Sequence, residues 1–201
     1  LARISTGDAE SDRTRSIASS LLEALGSYST WDDIGPEFPG VRLAGPLAQV
    51  LLVAASAGLD TSDVEGVDLA KELAGLMQVT GEQTGRYSDR NEYGPDTSNG
   101  FGQAYAMLAA SLLGGAPPES IGFLLAQQCP SGGFRLVYDG NAGCGSDDES
   151  DPDATALAIQ VLLVLDRTES VEAALGRASG QLISIQEADG SFAGAPPADV
   201  P

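Results

Sequence analysis

A seven-residue phrase that occurs twice near the C-terminal end is the feature that most constrains this fold. Residues 128–134 read QCPSGGF and residues 186–192 read QEADGSF, so both have Gln, three residues, Gly, one residue and Phe. Counted from Gln128 to Gln186, the copies are 58 residues apart. A looser copy lies upstream, where Gln78 is followed by Gly85-Arg86-Tyr87. A period of about 50–58 residues indicates a helical-hairpin repeat.

Two kinds of helical segment alternate between these phrases. Residues 43–58, 102–114 and 153–165 are apolar on nearly every side, whereas 12–26, 69–78, 117–128 and 171–186 are amphipathic. Because a helix that is apolar all round is a buried one, the first set predicts an inner layer and the second an outer layer. Stacked hairpins of this kind curve into an all-α fold, an α/α toroid, here an open or partial barrel. We expect one domain, 1–201, with repeat units 43–87, 98–134 and 152–192 after an N-terminal helix and loop, 1–42.

Composition excludes several classes of function. With 10 basic and 29 acidic residues the net charge is −19, which disfavours nucleic acid and anionic membrane surfaces as partners. No apolar run is long enough for membrane insertion. The chain has no histidine, which removes Ser-His-Asp and Cys-His catalysis and histidine-ligated metals. The start lacks the order of a signal peptide and the end follows directly on a repeat phrase, so we expect an excised piece of a longer protein.

The two cysteines, Cys129 and Cys144, both fall in loops. We predict a disulfide between them, with free thiols as the alternative. A closed loop of this length stabilises a chain by about 3 kcal/mol in the chain-entropy model. Such a bond places the protein outside a reducing cytosol, at an extracellular or cell-surface location.

The repeated phrase resembles the QW repeat of squalene-hopene and oxidosqualene cyclases, in which the aromatic residue is usually Trp. The resemblance covers about residues 43–192. The same toroid serves class II diterpene cyclases, protein prenyltransferase β subunits and cobalamin carriers such as transcobalamin. It implies that Gln128 and Gln186 cap helix carbonyls, and that Phe134 and Phe192 pack between hairpins.

Residues 151–156 read DPDATA and resemble the D-x-D-D-T-A motif of those cyclases. The resemblance implies catalysis by Asp151 and Asp153, with Asp153 as the proton donor. The fourth position is Ala154, so one carboxylate of the motif is missing. Such a donor must be kept protonated by burial or by neighbouring acids, in a cavity lined with aromatic rings. The alternative interpretation is ordinary helix-start chemistry.

Two further alternatives rest on carboxylates. Asp147, Asp148 and Asp151 could bind calcium through oxygen ligands, but their spacing is not that of an EF-hand, which favours a solvated acidic loop. Toroid glycosidases and lyases use paired carboxylates on loops, which makes a glycan-active enzyme the second enzymatic alternative. The loop carboxylates in question are Asp32, Asp33, Glu37, Asp89, Glu92 and Asp96.

Aromatic residues near the predicted loops suggest a ligand mouth on one rim of the arc, with repeat packing as the alternative. They are Tyr87, Tyr93, Phe101, Phe134 and Tyr138. The leading hypothesis is a non-catalytic module, without a cofactor, that binds a small apolar molecule or another protein. The open ends of the arc favour a homodimer.

Overall fold

The computed structural model describes residues 11–35, 37–138, 140 and 142–192, and over these residues the predicted all-α class is confirmed. A two-stranded antiparallel sheet pairs Phe134 with Asp151 and Arg135 with Ser150, and it was not predicted. A single 3-10 turn, Asp147–Glu149, precedes the second strand. The helices are α1 (Asp12–Glu23), α2 (Leu25–Ser29), α3 (Ala44–Ser56), α4 (Leu69–Ala74), α5 (Gly100–Leu113), α6 (Pro118–Ala126), α7 (Pro152–Val164) and α8 (Glu169–Ile185), and the strands are β1 (Phe134–Arg135) and β2 (Ser150–Asp151).

The three apolar helices α3, α5 and α7 form the centre of the core. Val50, Met107 and Leu162, one from each helix, are fully buried in one continuous apolar cluster. Helix α3 packs on α5, and α5 packs on α7. The first pair approaches closely at two glycines, since a Cβ added to Gly102 would lie 3.1 Å from the Cα of Gly45. Larger residues at these two positions would push the helices apart.

Several boundaries differ from the sequence prediction. The first helix is interrupted at Ala24, so that a short helix, α2, follows it. Helix α4 ends at Ala74 rather than at 78, because Met77 pairs with Tyr87 in an isolated bridge. Helix α7 was expected to be covered on all sides, but Leu163 is 52% exposed and Val164 is 56% exposed. Leu112 and Leu113 of α5 are likewise 51% and 47% exposed, so the prediction of complete burial was wrong near the C-terminal ends of both α5 and α7.

Each repeat phrase closes on itself in the same way. We call residues 78–87, 128–134 and 186–192 phrases one, two and three. Gln128 pairs with Phe134 in phrase two, and Gln186 pairs with Phe192 in phrase three. In phrase one, Tyr87 pairs with Met77, the residue directly before the phrase. The phrase glycines Gly85, Gly132 and Gly190 all have positive φ, of 92°, 104° and 87°. A glycine is therefore required at this position of the turn.

The first two phrases are tied to the apolar helix that follows them. The backbone N–H of Tyr87 donates to Oε1 of Gln103 at 2.9 Å, and that of Phe134 donates to Oγ1 of Thr155 at 2.8 Å. Gln103 and Thr155 are each the fourth residue of their helix. The two links are thus equivalent, and they hold successive repeats in register.

Gln128 connects phrase two to helix α8. Its Nε2 donates to the Gly132 carbonyl and to the Ala174 carbonyl, both at 2.8 Å. Its Oε1 accepts from Arg177. Gln186 makes only the local bond of this set, from Nε2 to the Gly190 carbonyl at 2.9 Å.

The predicted disulfide between Cys129 and Cys144 is confirmed. It joins the turn of phrase two to the loop before the 3-10 turn, and Asp139 and Asn141 of that loop lie outside the described residues. None of the helices in the described part of the chain combines the length and apolar character needed to cross a membrane.

Candidate ligand groove

Two cavities lie in line between α3 and α5. One, of about 350 Å³, lies at the N-terminal ends of the two helices, and the other, of about 340 Å³, lies at their C-terminal ends. On each helix, two residues line the first cavity and two line the second. Along the helix these four residues are spaced by four, three and four positions, which places them on one helical face. We call this surface the groove: Gly45, Gln49, Leu52 and Ser56 on α3, and Phe101, Tyr105, Leu108 and Leu112 on α5.

The groove follows the length of the two helices. Each stripe extends over eleven residue steps, which corresponds to about 16 Å along a helix. The two cavities have volumes within the range of small-molecule sites in proteins. The groove is therefore suited to an extended molecule rather than a compact one.

Its two ends differ in chemistry. The N-terminal cavity is lined by the rings of Tyr28, Phe101 and Tyr105 and by polar groups, and the Tyr28 hydroxyl donates to Oε1 of Gln49. The C-terminal cavity is almost wholly aliphatic, with two serine hydroxyls among its walls. Its lining residues are Leu52, Ser56, Leu108, Ser111, Leu112 and Val164.

Asp89 is the one carboxylate among the described residues that line these two cavities, and it is committed to the backbone. Its Oδ1 accepts from the Ala44 N–H at 2.8 Å. Its Oδ2 accepts from the N–H and the hydroxyl of Thr97, at 3.1 and 2.7 Å. Helix α3 has Leu43 at its N-cap, which offers no side-chain acceptor, so Asp89 caps this helix from a distant loop. This arrangement leaves the groove without the facing carboxylate pair that glycan hydrolysis uses.

Of the five aromatic residues predicted to form a mouth, Phe101 lines the groove. Tyr93 is partly exposed and packs edge-on against Phe38, with ring centroids 5.3 Å apart. Tyr87, Phe134 and Tyr138 are buried inside the protein. The five do not come together at one rim, because three of them fill the spaces between repeats.

The two buried tyrosines have raised pKa values. Burial raises the pKa of Tyr87 to about 12, against the opposing effect of a hydrogen bond with Ser120. Burial also raises the pKa of Tyr138 far above its ordinary value, although the positive charges of Arg86 and Arg135 oppose it. The two guanidinium groups lie 5.2 and 5.7 Å from the centre of the Tyr138 ring. Tyr138 and the two guanidinium groups are thus packed together inside the protein.

The sequence did not lead to Tyr28, Gln49 or Tyr105 as groove residues. For Gln49 and Tyr105, a shared spacing along the sequence could have indicated their position. Gln49 and Tyr105 are 56 positions apart, and so are the other three pairs of groove residues, from Gly45 and Phe101 to Ser56 and Leu112. Superposing the apolar helices by the repeat period would have shown one shared stripe with aromatic or polar residues at its start.

The DPDATA segment is a helix start in the structure. Asp151 is the N-cap of α7, and its Oδ1 accepts from the Ala154 N–H at 2.7 Å. Thr155 receives the Phe134 N–H and donates its hydroxyl to the Asp151 carbonyl at 2.7 Å. Asp153 is exposed to solvent. Asp153 therefore lacks the buried setting that the acid of that motif requires.

The acidic loop is organised by capping rather than by cation ligation. Oδ1 of Asp147 accepts from the Ser131 N–H at 2.6 Å, and Ser146 and Glu149 form a capping box around the 3-10 turn. Within the described ranges, no group of three or more Cys, Asp or Glu side chains is placed to hold a metal ion. The described residues therefore give no support to the alternative calcium site at Asp147, Asp148 and Asp151.

Comparison with known proteins leaves the groove as the main evidence on function. The chain matches no protein-family model, no curated protein and no solved structure.

Proposed function

We propose that this chain is a non-catalytic binding module that holds a small, extended and mostly apolar molecule in the groove. In this proposal the three repeats form an open arc of an α/α toroid, of the terpenoid-cyclase and prenyltransferase-like type. The alternation of buried and half-exposed helices and the shared closure of the three phrases support that arrangement. The disulfide supports an extracellular or cell-surface location.

The observation that carries the proposal is the matching stripe on α3 and α5. Two cavities lie along the same pair of helical faces, and the walls of the C-terminal cavity are less polar than those of the N-terminal cavity. Burial of an apolar chain along the aliphatic end would supply most of the affinity. The net charge of −19 disfavours an anionic ligand, so the ligand is expected to be neutral or cationic.

The test uses N-phenyl-1-naphthylamine, an uncharged apolar probe whose fluorescence rises in a non-polar site. Leu112 lines the aliphatic cavity and is 51% exposed, so Leu112→Gln changes the groove wall with little effect on the core. We expect this variant to bind the probe about tenfold more weakly, because a polar amide replaces an apolar wall.

Leu113→Gln is the matched control. Leu113 is 47% exposed and adjacent in sequence, but it does not line either cavity of the groove. Its affinity for the probe should equal that of the unchanged chain. Equal affinities for all three proteins, or no saturable binding, would contradict the proposal.

A further inference from the structure

Phrase three has the same backbone turn as phrases one and two, but its aromatic residue is not buried. The turn is the same, since Gly190 has positive φ as Gly85 and Gly132 do. The aromatic residues differ sharply in burial: Tyr87 is 3% exposed and Phe134 is 1% exposed, whereas Phe192 is 41% exposed. The three phrases share one turn geometry, but only the first two have a buried aromatic ring. The third phrase therefore has the same surface for a following repeat, and that surface is uncovered.

The first contact missing from phrase three is a hydrogen bond. The N–H groups of Tyr87 and Phe134 donate to side chains at the fourth position of the next apolar helix. Among the described residues, the Phe192 N–H meets no such acceptor. The Gln186–Phe192 pair has the same type of bridge as Gln128–Phe134, so this N–H points away from its own phrase as that of Phe134 does.

The second missing contact is backbone packing against the glycine. A Cβ on Gly85 would collide with the Glu119 carbonyl of α6, and one on Gly132 would lie 2.6 Å from the Arg177 carbonyl of α8. The glycines of phrases one and two are thus each covered by the half-exposed helix of the following repeat. At Gly190 the one described atom within 4 Å is Nε2 of Gln186, from the same phrase.

Exposed apolar side chains also lie on both helices of this last repeat. Leu163 of α7 is 52% exposed and Ile183 of α8 is 75% exposed. We call Leu163, Ile183, Gly190 and Phe192 the terminal repeat surface. Exposed aliphatic side chains on the last helix pair are what a repeat array shows where a neighbouring repeat is not in place.

We propose that the terminal repeat surface binds one further helical hairpin of the same repeat type. The established interfaces between the repeats define its chemistry. Its first helix is apolar and carries a Gln or Thr at the fourth position, which accepts the Phe192 N–H. Its second helix lays a backbone carbonyl on Gly190.

A second copy of this chain is a poor occupant. Gln103 and Thr155, the acceptors on α5 and α7, are already bonded to Tyr87 and Phe134. The fourth residue of α3 is Leu47, whose side chain cannot accept a hydrogen bond. The three repeats of a second copy therefore leave no helix that could complete phrase three.

The experiment supplies the hairpin directly. Residues 135–192 are repeated after Phe192, with C144S in the added copy because its disulfide partner has no equivalent there. The added Thr155 then follows Phe192 at the spacing that separates the native Thr155 from Phe134. We expect amide hydrogen exchange at Phe192 to slow by at least about 100-fold, to the rate of Phe134.

Two controls separate docking from a general effect of chain length. With T155V in the added copy only, Phe192 should lose most of this protection. G190A should be more damaging in the extended chain than in the parent, because the added helix then covers Gly190. An added hairpin that stays unfolded, or that folds without protecting Phe192, would overturn the proposal. So would concentration-dependent protection of Phe192 in the parent chain, since a second copy would then be the occupant.

Discussion

Thr155 joins the second and third repeats through one hydroxyl group. Its Oγ1 accepts the buried Phe134 N–H and donates to the Asp151 carbonyl. Replacement by valine keeps the shape but leaves the N–H without a partner in the interior. We expect Thr155→Val to lower the free energy of unfolding by about 1–3 kcal/mol, the usual cost of an unsatisfied buried polar group. Urea denaturation followed by circular dichroism measures it.

Thr80→Val is the control for this substitution, because Thr80 is exposed. It should change the free energy of unfolding by less than about 0.5 kcal/mol. Thr155→Ser keeps the hydroxyl and should recover part of the loss. If Thr155→Val were as stable as Thr80→Val, the hydroxyl would not link the repeats.

Tyr87 predicts how stability depends on alkaline pH. Its pKa is raised to about 12 by burial, whereas a tyrosine in the unfolded chain has a pKa of about 10. Between these values the unfolded state has lost the proton and the folded state retains it. The contribution of neutral Tyr87 to the free energy of unfolding is therefore fully present below about pH 10 and is lost as the pH rises toward 12.

Tyr87→Phe should reduce the slope of unfolding free energy against pH by up to about 1.4 kcal/mol per pH unit in this window. Tyr93→Phe, which changes a partly exposed ring, is the comparison and should alter the slope much less. Urea denaturation at pH 9, 10 and 11 provides the slopes. An unchanged slope in Tyr87→Phe would show that Tyr87 ionises equally in the two states.

Sequence patterns at the residue scale predicted what depends on local geometry. The glycine of each phrase and the disulfide pair follow from turn chemistry and from two cysteines in loops. The role of Asp89 could not be predicted, since it caps a helix that begins 45 residues earlier in the chain. Asp153 lies in a segment that resembles a catalytic motif, but the spacing of that motif does not determine whether the side chain is buried, and the structure shows it exposed.

At the scale of helices and turns, Gly132 and Gly190 form a matched pair. Both have positive φ, so alanine strains the backbone at either position. Only at Gly132 would the added Cβ also meet the backbone of α8. We expect Gly132→Ala to cost about 1–3 kcal/mol more than Gly190→Ala, which is the usual cost of overpacking.

Thermal and urea unfolding of the two variants would measure this difference directly. Equal losses would mean that strain in the turn is the whole effect, and that phrase two does not depend on close packing against α8.

Helix existence was predictable because each apolar or amphipathic stretch is long. Helix ends were less so. Helix α4 stops early because Met77 is drawn into a bridge with Tyr87, a contact across ten residues that no helical period encodes. The exposed ends of α5 and α7 were not predicted for a different reason. Their composition matches that of the covered helix α3, and burial depends on neighbours rather than on composition.

Across the whole molecule, the groove connects the repeat pattern with the proposed function. The offset of 56 residues between the two helices brings four positions of α3 beside four of α5, so that a recognition surface arises from the register of these two repeats. The sequence predicted the class of fold and the burial of Val50, Met107 and Leu162. It did not predict the groove, since four of the five candidate aromatic residues lie outside the apolar helices and only Phe101 lies on a helix that lines the groove.

The most direct test of the account is to locate a bound apolar molecule by methyl NMR. On titration with N-phenyl-1-naphthylamine, we expect shifts of the methyl resonances of the residues that line the aliphatic cavity. These are Leu52, Leu108, Leu112 and Val164. The methyl groups of Ile17 and Leu113, which are exposed elsewhere, should not move. Shifts confined to Leu163 and Ile183, or no saturable shift, would contradict the central claim that the groove is the binding site.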